Sequence, residues 1–181
     1  MTRIDVYRPK VPRLDLGSGP TPREGYVGVD RLSAENVLPW DFSCPDDWPW
    51  EDESIEALVS SHCIEHLPPV NAKGRDVLIH FMEQAWRVAV PGALFELRWP
   101  APFHPDTGAP MESAWWDPTH YRRIPAAQIP AYFSNVGRRT LRVESYGIRC
   151  NWVMTHDVLC RSIAEGDRII EYVMDLRRDP L

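Results

Sequence analysis

Read for its alternation of apolar and polar positions, the chain divides into short strands in its first hundred residues, with one well-marked helix among them. Val11 to Leu16, Tyr26 to Val29, Asn36 to Trp40 and Ile55 to Ser60 are apolar runs of strand length bounded by Gly, Pro, Ser and Asp. In the stretch from Val70, apolar residues fall at Val77, Leu78, Phe81, Met82, Ala85 and Val88, the spacing of a helix with one buried stripe. Pro91-Gly92 stops that helix, and Leu94 to Trp99 reads as a fifth strand. Residues 100–124 are rich in Pro, His, Trp and Asp without a period, the mark of a long functional loop. Ala126 to Phe133 predicts a short helix, and Arg139 to Glu144 and Trp152 to Ile163 predict strands. Residues 165–178 predict a terminal helix, because Ile169, Ile170, Val173 and Met174 would share a face. Strands alternating with helices predict a doubly wound α/β domain, and 181 residues suit a single domain over the whole chain.

The junction of the first two strands carries the chemistry. Residues 13–30 place an acid, Asp15, and the turn Leu16-Gly17-Ser18-Gly19 before a second apolar run that ends in Asp30-Arg31. Glycine has no Cβ, so such a turn brings backbone close to a ligand. An acid ending the neighbouring strand can accept hydrogen bonds from both hydroxyls of a ribose. The glycine pair alone says little, because turns use glycine everywhere. The acids and glycines together predict a nucleoside held across two parallel strands.

Spacing narrows that nucleoside. A dinucleotide fingerprint needs a third glycine, a helix N-terminus for the pyrophosphate, and the ribose acid about 20 residues on. Here Pro20 and Pro22 stand where the helix would begin, and Asp30 follows Gly17 by only 13 residues. A phosphate-bearing ligand would lose its main anchor. A nucleoside carrying a sulfonium and an amino acid would lose little, which favours S-adenosylmethionine (SAM) over NAD or ATP.

With those residues in view, the chain resembles the class I SAM-dependent methyltransferases, in a compact type 11-like form with a shortened first crossover. Asp15 to Gly19 resembles their glycine-rich first motif, and Asp41-Phe42 the segment beside the adenine. Trp48 to Leu67 is similar to the stretch through their fourth strand, and Trp86 to Leu94 to their helix end, Pro-Gly turn and fifth strand. The resemblance spans roughly residues 12–100. It implies a Rossmann-like, mostly parallel seven-stranded sheet with an antiparallel C-terminal hairpin and helices on both faces. It also implies methyl transfer from SAM, with Asp15, Leu16, Gly17, Gly19, Asp30, Arg31, Asp41, Phe42, Ser61 and His62 at the cofactor.

Bulk properties agree with this. A hydrophobic content of 44% is enough to fold despite 18 prolines. No apolar run reaches the ~18 residues of a membrane span, and Met1 to Asp5 offers no signal-peptide core. Cys44, Cys63, Cys150 and Cys160 form no Cys-x-x-Cys pair, so they read as reduced thiols and the expected location is the cytoplasm. The net charge of −6 argues against a dedicated nucleic-acid binder. Arg122, Arg123, Arg138, Arg139 and Arg142 make the C-terminal part locally basic, as a solvated face or as a site for an anionic substrate.

Two polar clusters remain. His62-Cys63-Ile64-Glu65-His66 matches the His-x-x-Glu-His of inverted zinc peptidases. That motif needs a helix, whereas here it follows a strand and precedes Pro68-Pro69, leaving at most one turn. A metal-dependent hydrolase using His62, Glu65 and His66 is thus the remote alternative, and no metal is expected. Methyltransferases resembling this chain often carry a similar pattern here, and Glu65 and His66 read as residues that brace the loop after the fourth strand. His62 lies at the carboxyl end of a central strand, where open α/β sheets bind ligands. The second cluster joins His104, Trp115, Trp116, Asp117, His120, Tyr121 and Arg122. The tryptophans either pack beneath the loop or wall a pocket. Asp117, three residues before His120, could orient its imidazole or simply cap the turn. His62, His120 and Asp117 are accordingly the candidate catalytic groups.

No Asp/Asn-Pro-Pro-aromatic motif follows the fourth strand, which argues against amino-methylation of DNA bases. Cys63 lacks the preceding proline of cytosine C5 enzymes. A small-molecule or sugar hydroxyl is the residual acceptor. The alternative is a SAM- or nucleoside-binding module without transferase activity.

Overall fold

The computed structural model describes residues 13–156, 158–162 and 170–179. The predicted strand start at Val11, residue 163 and residues 165–169 lie outside them. Four parallel strands open the chain: β1 Arg13–Leu16, β2 Val27–Asp30, β3 Val37–Pro39 and β4 Ile55–Ser61. Helix α1, Val77–Val88, leads into β5, Ala89–Pro100. Short helices α2 Glu112–Trp115, α3 Gln128–Phe133 and α4 Asn135–Leu141 precede β6 Trp152–Met154, β7 Leu159–Ser162 and β8 Ile170–Arg178. The sheet order is β3-β2-β1-β4-β5-β8-β6, with β7 also on β8. β6 meets residues 176–178 of β8 and β7 meets residues 170–173, so the two act as one interrupted strand. Counted that way the sheet is seven-stranded. β3, β2, β1, β4 and β5 run parallel, and β8 is antiparallel to both of its neighbours.

No helix intervenes between β1 and β2 or between β2 and β3 in these described residues. The shortened crossover predicted from Pro20 and Pro22 is present. Helix α1 begins at Val77, later than the apolar stretch suggested, where the Asp76 side chain accepts the Ile79 amide at 3.0 Å. It buries Val77, Leu78, Phe81, Met82, Ala85 and Val88, and each large apolar side chain so buried contributes roughly 1.5–3 kcal/mol. Phe81 meets Phe42 edge-on at 5.0 Å and Trp48 at 5.3 Å, joining the helix to the loop after β3.

Two predictions fail at the C-terminal end. The predicted helix over 165–178 is a strand from Ile170 onward. Ile170, Tyr172, Met174 and Leu176 are buried at a period of two, and β8 has hydrogen-bonded partners along both edges. Two ladders outweigh a local helical pattern. The predicted strand Arg139 to Glu144 is instead the end of α4 followed by a 3-10 turn, Val143–Tyr146. Arg142 takes a φ of 48°, which breaks the chain direction there. Gly137 is what lets α4 pack on α3, since a Cβ there would overlap the Ala131 carbonyl.

Candidate active site

The carboxyl ends of β1, β2 and β4 open into a cleft of about 600 Å³, within the size range of small-molecule and cofactor sites. Gly17, Asp30, Arg31, Asp41, Phe42 and His62 line it, all of them predicted from the sequence. Gly17 donates its amide to Val29 O at 2.7 Å and takes a φ of +75°. A Cβ there would overlap the Cys63 side chain, so only glycine lets β1 pass this close to the loop after β4. Asp30 accepts the Gly19 amide on one carboxylate oxygen and the Leu32 amide on the other, each at 2.9 Å. A carboxylate has about four acceptor positions, so each oxygen keeps capacity for a further donor. Asp41 closes its own turn by accepting the Ser43 amide at 2.8 Å, while Phe42 is rooted among Trp48 and Phe81.

Asp15, Leu16, Gly19 and Ser61 are not in the cleft wall. Leu16 is core. Asp15 is buried and accepts the Arg23 amide at 2.8 Å, so it pins the β1–β2 loop from below, and burial pushes its pKa up. Asp15 and Glu96 sit in one row of the sheet, each in register with Val59. Arg23 ties them together, pairing its guanidinium with Glu96 at 2.6 Å. Burial pushes Glu96 upward, but the hydrogen bond from Arg23 and the charge of Arg98 outweigh it and hold the carboxyl below its ordinary range.

His62 follows β4 with a φ of 52°. Its ring nitrogens face two carboxylates: Nε2 lies 3.1 Å from Glu171 Oε2, and Nδ1 lies 3.4 Å from Glu65 Oε1. The nearby Glu65 carboxylate, with Glu171 adding to it, raises the imidazole pKa despite partial burial. Both carboxylates favour the protonated form of His62 on the cleft wall.

The segment Ile64–His66 is a single 3-10 turn, so the helix that a zinc-peptidase pattern requires is not formed. The loop after β5 lies against this turn. Arg122 donates to the carbonyls of Leu67 at 3.1 Å and of Pro68 and Pro69 at 3.0 Å, and pairs with Asp76. That strap brings Pro118, Thr119 and Tyr121 to the cleft rim. His120 and Asp117 stand just behind, with Nε2 3.6 Å from Asp117 Oδ2. Asp117 also accepts from the Thr119 amide and hydroxyl, so the orienting and turn-capping roles coexist. Trp115 and Trp116 do not wall the cleft. Trp115 donates to Pro102 O and carries Arg123 over its ring, and Trp116 is largely exposed.

Several cleft residues escaped the sequence reading. Trp40, Leu32 and Ser43 flank predicted residues and could have been found by extending the β2 and β3 ends. His66 was read as a brace, and it is one, through Thr119, but it also lines the cleft. Nothing local in the sequence signals that Glu171 reaches His62, because the two are 109 residues apart. Among the described helices, none is long and apolar enough to cross a membrane.

No protein-family model matches the chain, and no curated protein matches its sequence. Solved structures do match its fold. A putative sarcosine dimethylglycine methyltransferase from Galdieria sulphuraria superposes with a TM-score of 0.58 at 13% identity, covering 94% of this chain and 79% of that one. A SAM-dependent methyltransferase from Methanosarcina mazei gives 0.57 at 13% identity, covering 93% and 92%. The 1,6-didemethyltoxoflavin-N1-methyltransferase of Burkholderia thailandensis, solved with 1,6-didemethyltoxoflavin and S-adenosylhomocysteine, gives 0.54 at 12% identity, covering 93% and 71%. The strand order, the antiparallel β8 and these superpositions agree: this chain has the class I SAM-dependent methyltransferase fold.

Proposed function

We propose that the protein binds SAM in this cleft and transfers its methyl group to a hydroxyl of a small molecule or sugar. The observation that carries the reading is the Asp30 carboxylate at the end of β2. It is braced by the Gly19 and Leu32 amides and set in an open cleft beside the bare backbone of Gly17. Among the described residues no helix lies between β1 and β2, and the cleft lining offers two carboxylates (Asp30, Asp41) against one guanidinium (Arg31). That set fits a phosphate-free nucleoside better than a nucleotide. In this reading Asp30 accepts the ribose hydroxyls, Phe42 and Trp40 border the adenine, and Asp41 lies at its edge. Gly17 flanks the amino-acid tail, with Gly19 acting through its bond to Asp30. Asp15 serves by fixing the loop.

Bound SAM supplies an electrophilic methyl on a sulfonium that is already a good leaving group. The protein must align and dehydrate the reacting atoms. An acceptor hydroxyl aligned there would take the methyl as the C–S bond breaks toward sulfur, and its proton would pass to solvent on the acceptor side. The wall formed by His66, Thr119 and Tyr121, backed by Asp117 and His120, is that side. His62, with a carboxylate facing each ring nitrogen, positions and polarises instead of accepting a proton.

The test is calorimetry with S-adenosylhomocysteine, followed by transfer of labelled methyl from SAM to a panel of small hydroxyl compounds and sugars. Binding with turnover supports the proposal. Binding without transfer to any acceptor supports the alternative of a nucleoside-binding module, and no binding removes both.

A further inference from the structure

Glu65, His66 and His120 each place one ligand-type atom within 4.8 Å of the other two. They come from two different loops, brought together by the Arg122 strap. Two imidazoles and a carboxylate are the donor set of catalytic zinc sites that keep an open position.

Three observations separate this cluster from a chance grouping. First, Glu65 is 1% exposed, yet neither of its carboxylate oxygens accepts a hydrogen bond among the described residues. His62 Nδ1 faces only Oε1, at 3.4 Å, so the buried carboxylate keeps an oxygen, Oε2, open to a cation. Second, each histidine has its Nδ1 against a backbone carbonyl: His66 against Thr119 O at 3.3 Å and His120 against Ala114 O at 3.3 Å. Nδ1 of His66 also lies 3.1 Å from the Thr119 hydroxyl, and a neutral imidazole that donates from Nδ1 presents Nε2 as its ligand atom. Metal-ligating histidines are held this way, with the far nitrogen donating to a carbonyl or carboxylate. Third, the spacing needs little adjustment. Three atoms no more than 4.8 Å apart lie at most about 2.8 Å from a common centre, and zinc bonds of about 2.1 Å require inward shifts of only about 0.7 Å.

We infer that Glu65, His66 and His120 form a site for a divalent transition-metal ion of the zinc class, on the acceptor wall of the cleft. His66 lines the cleft, so an open coordination position there would face the acceptor. The binding of the ion stands apart from the methyl-transfer reading; its role rests on that reading. A cation held there would acidify an acceptor hydroxyl, whose proton would pass to solvent, and so would favour its attack on a methyl group. Asp117, 3.6 Å from His120 Nε2, then lies beside the ion as a neighbouring anion and does not drive a base.

The test uses the chelator-stripped, reduced full chain. Zinc is titrated by calorimetry, cobalt(II) by its visible spectrum, and S-adenosylhomocysteine binding is measured on the same samples. Expected are stoichiometric zinc and tetrahedral cobalt bands without a thiolate charge-transfer band. His66→Gln, His120→Gln and Glu65→Gln should each weaken zinc by more than about 100-fold, beyond the 10–100-fold of outer-shell changes. Cys44→Ser should change nothing. Should a variant fold poorly, zinc-edge X-ray absorption on the unaltered chain decides: a nitrogen and oxygen shell with imidazole scattering supports the site, and sulfur at about 2.3 Å overturns it. Zinc binding that is absent, or that survives both histidine changes, also overturns it. Since cofactor binding is read separately, loss of the metal site and loss of the SAM reading give different results.

Discussion

Replacing Asp30 by alanine removes the acceptor assigned to the ribose hydroxyls. The side chain also accepts the Gly19 and Leu32 amides at 2.9 Å, and the two effects must be separated. Both amides lie near solvent, so water replaces part of what is lost and the folding cost is about 1 kcal/mol per bond. Hydrogen bonds to a charged acceptor are worth about 1.5–3 kcal/mol net. Two of them to the ribose amount to about 3–6 kcal/mol, or roughly 10²- to 10⁴-fold in affinity. Asp30→Asn keeps one carbonyl acceptor and should fall between. The assay is calorimetry with S-adenosylhomocysteine and its 2′-deoxy analogue, beside a denaturant melt of each variant. The unaltered protein should prefer the ribose form by at least about tenfold. Asp30→Ala should lose most of that preference along with affinity. A variant that binds within about threefold of the unaltered protein refutes the assignment, and so does one that binds weakly but keeps the full ribose preference.

Gly17→Ala should destabilise by more than the roughly 1–2 kcal/mol of a left-handed backbone, because its Cβ also meets Cys63; chemical melts of Gly17→Ala, Cys63→Gly and the double variant should show non-additive recovery. His80 is buried, with Nε2 3.1 Å from Asp46 O, and burial lowers its pKa below the ordinary 6.5. The unfolded chain therefore binds the proton more readily, so stability should fall as pH drops below about 6.5, and His80→Gln should flatten that slope in melts run across pH. Arg122→Ala should cost about 2–3 kcal/mol and speed hydrogen exchange across residues 117–122, and lysine should not restore it because it lacks the guanidinium fork. Among the three described free thiols, Cys44 should react with a disulfide reagent in the native state, while Cys63 and Cys150, whose pKa values burial pushes up, should react only after unfolding.

The sequence alone determined the part of this protein in which structure is local. Apolar runs ended by Gly17 and Asp30 define β1 and β2, because strand, turn and acid lie within one stretch of chain. Between Gly17 and the strand that ends at Asp30 there is too little chain for a helix, wherever the rest of the molecule folds. The 3.6-residue stripe of α1 likewise needs only its own residues. Ile170 to Arg178 shows the limit: its apolar positions satisfy both a helical face and a strand, and only β5 on one edge and β6 and β7 on the other decide between them. The cleft divides the same way. Asp30, Asp41 and Phe42 announced themselves by position at strand ends. The pairing of His62 with Glu171, and the meeting of Glu65 and His66 with His120, join segments about 50 to 110 residues apart, across which no periodicity carries information. The neighbours gathered around such pairs set what each imidazole can do, and they are gathered only once the tertiary structure has formed.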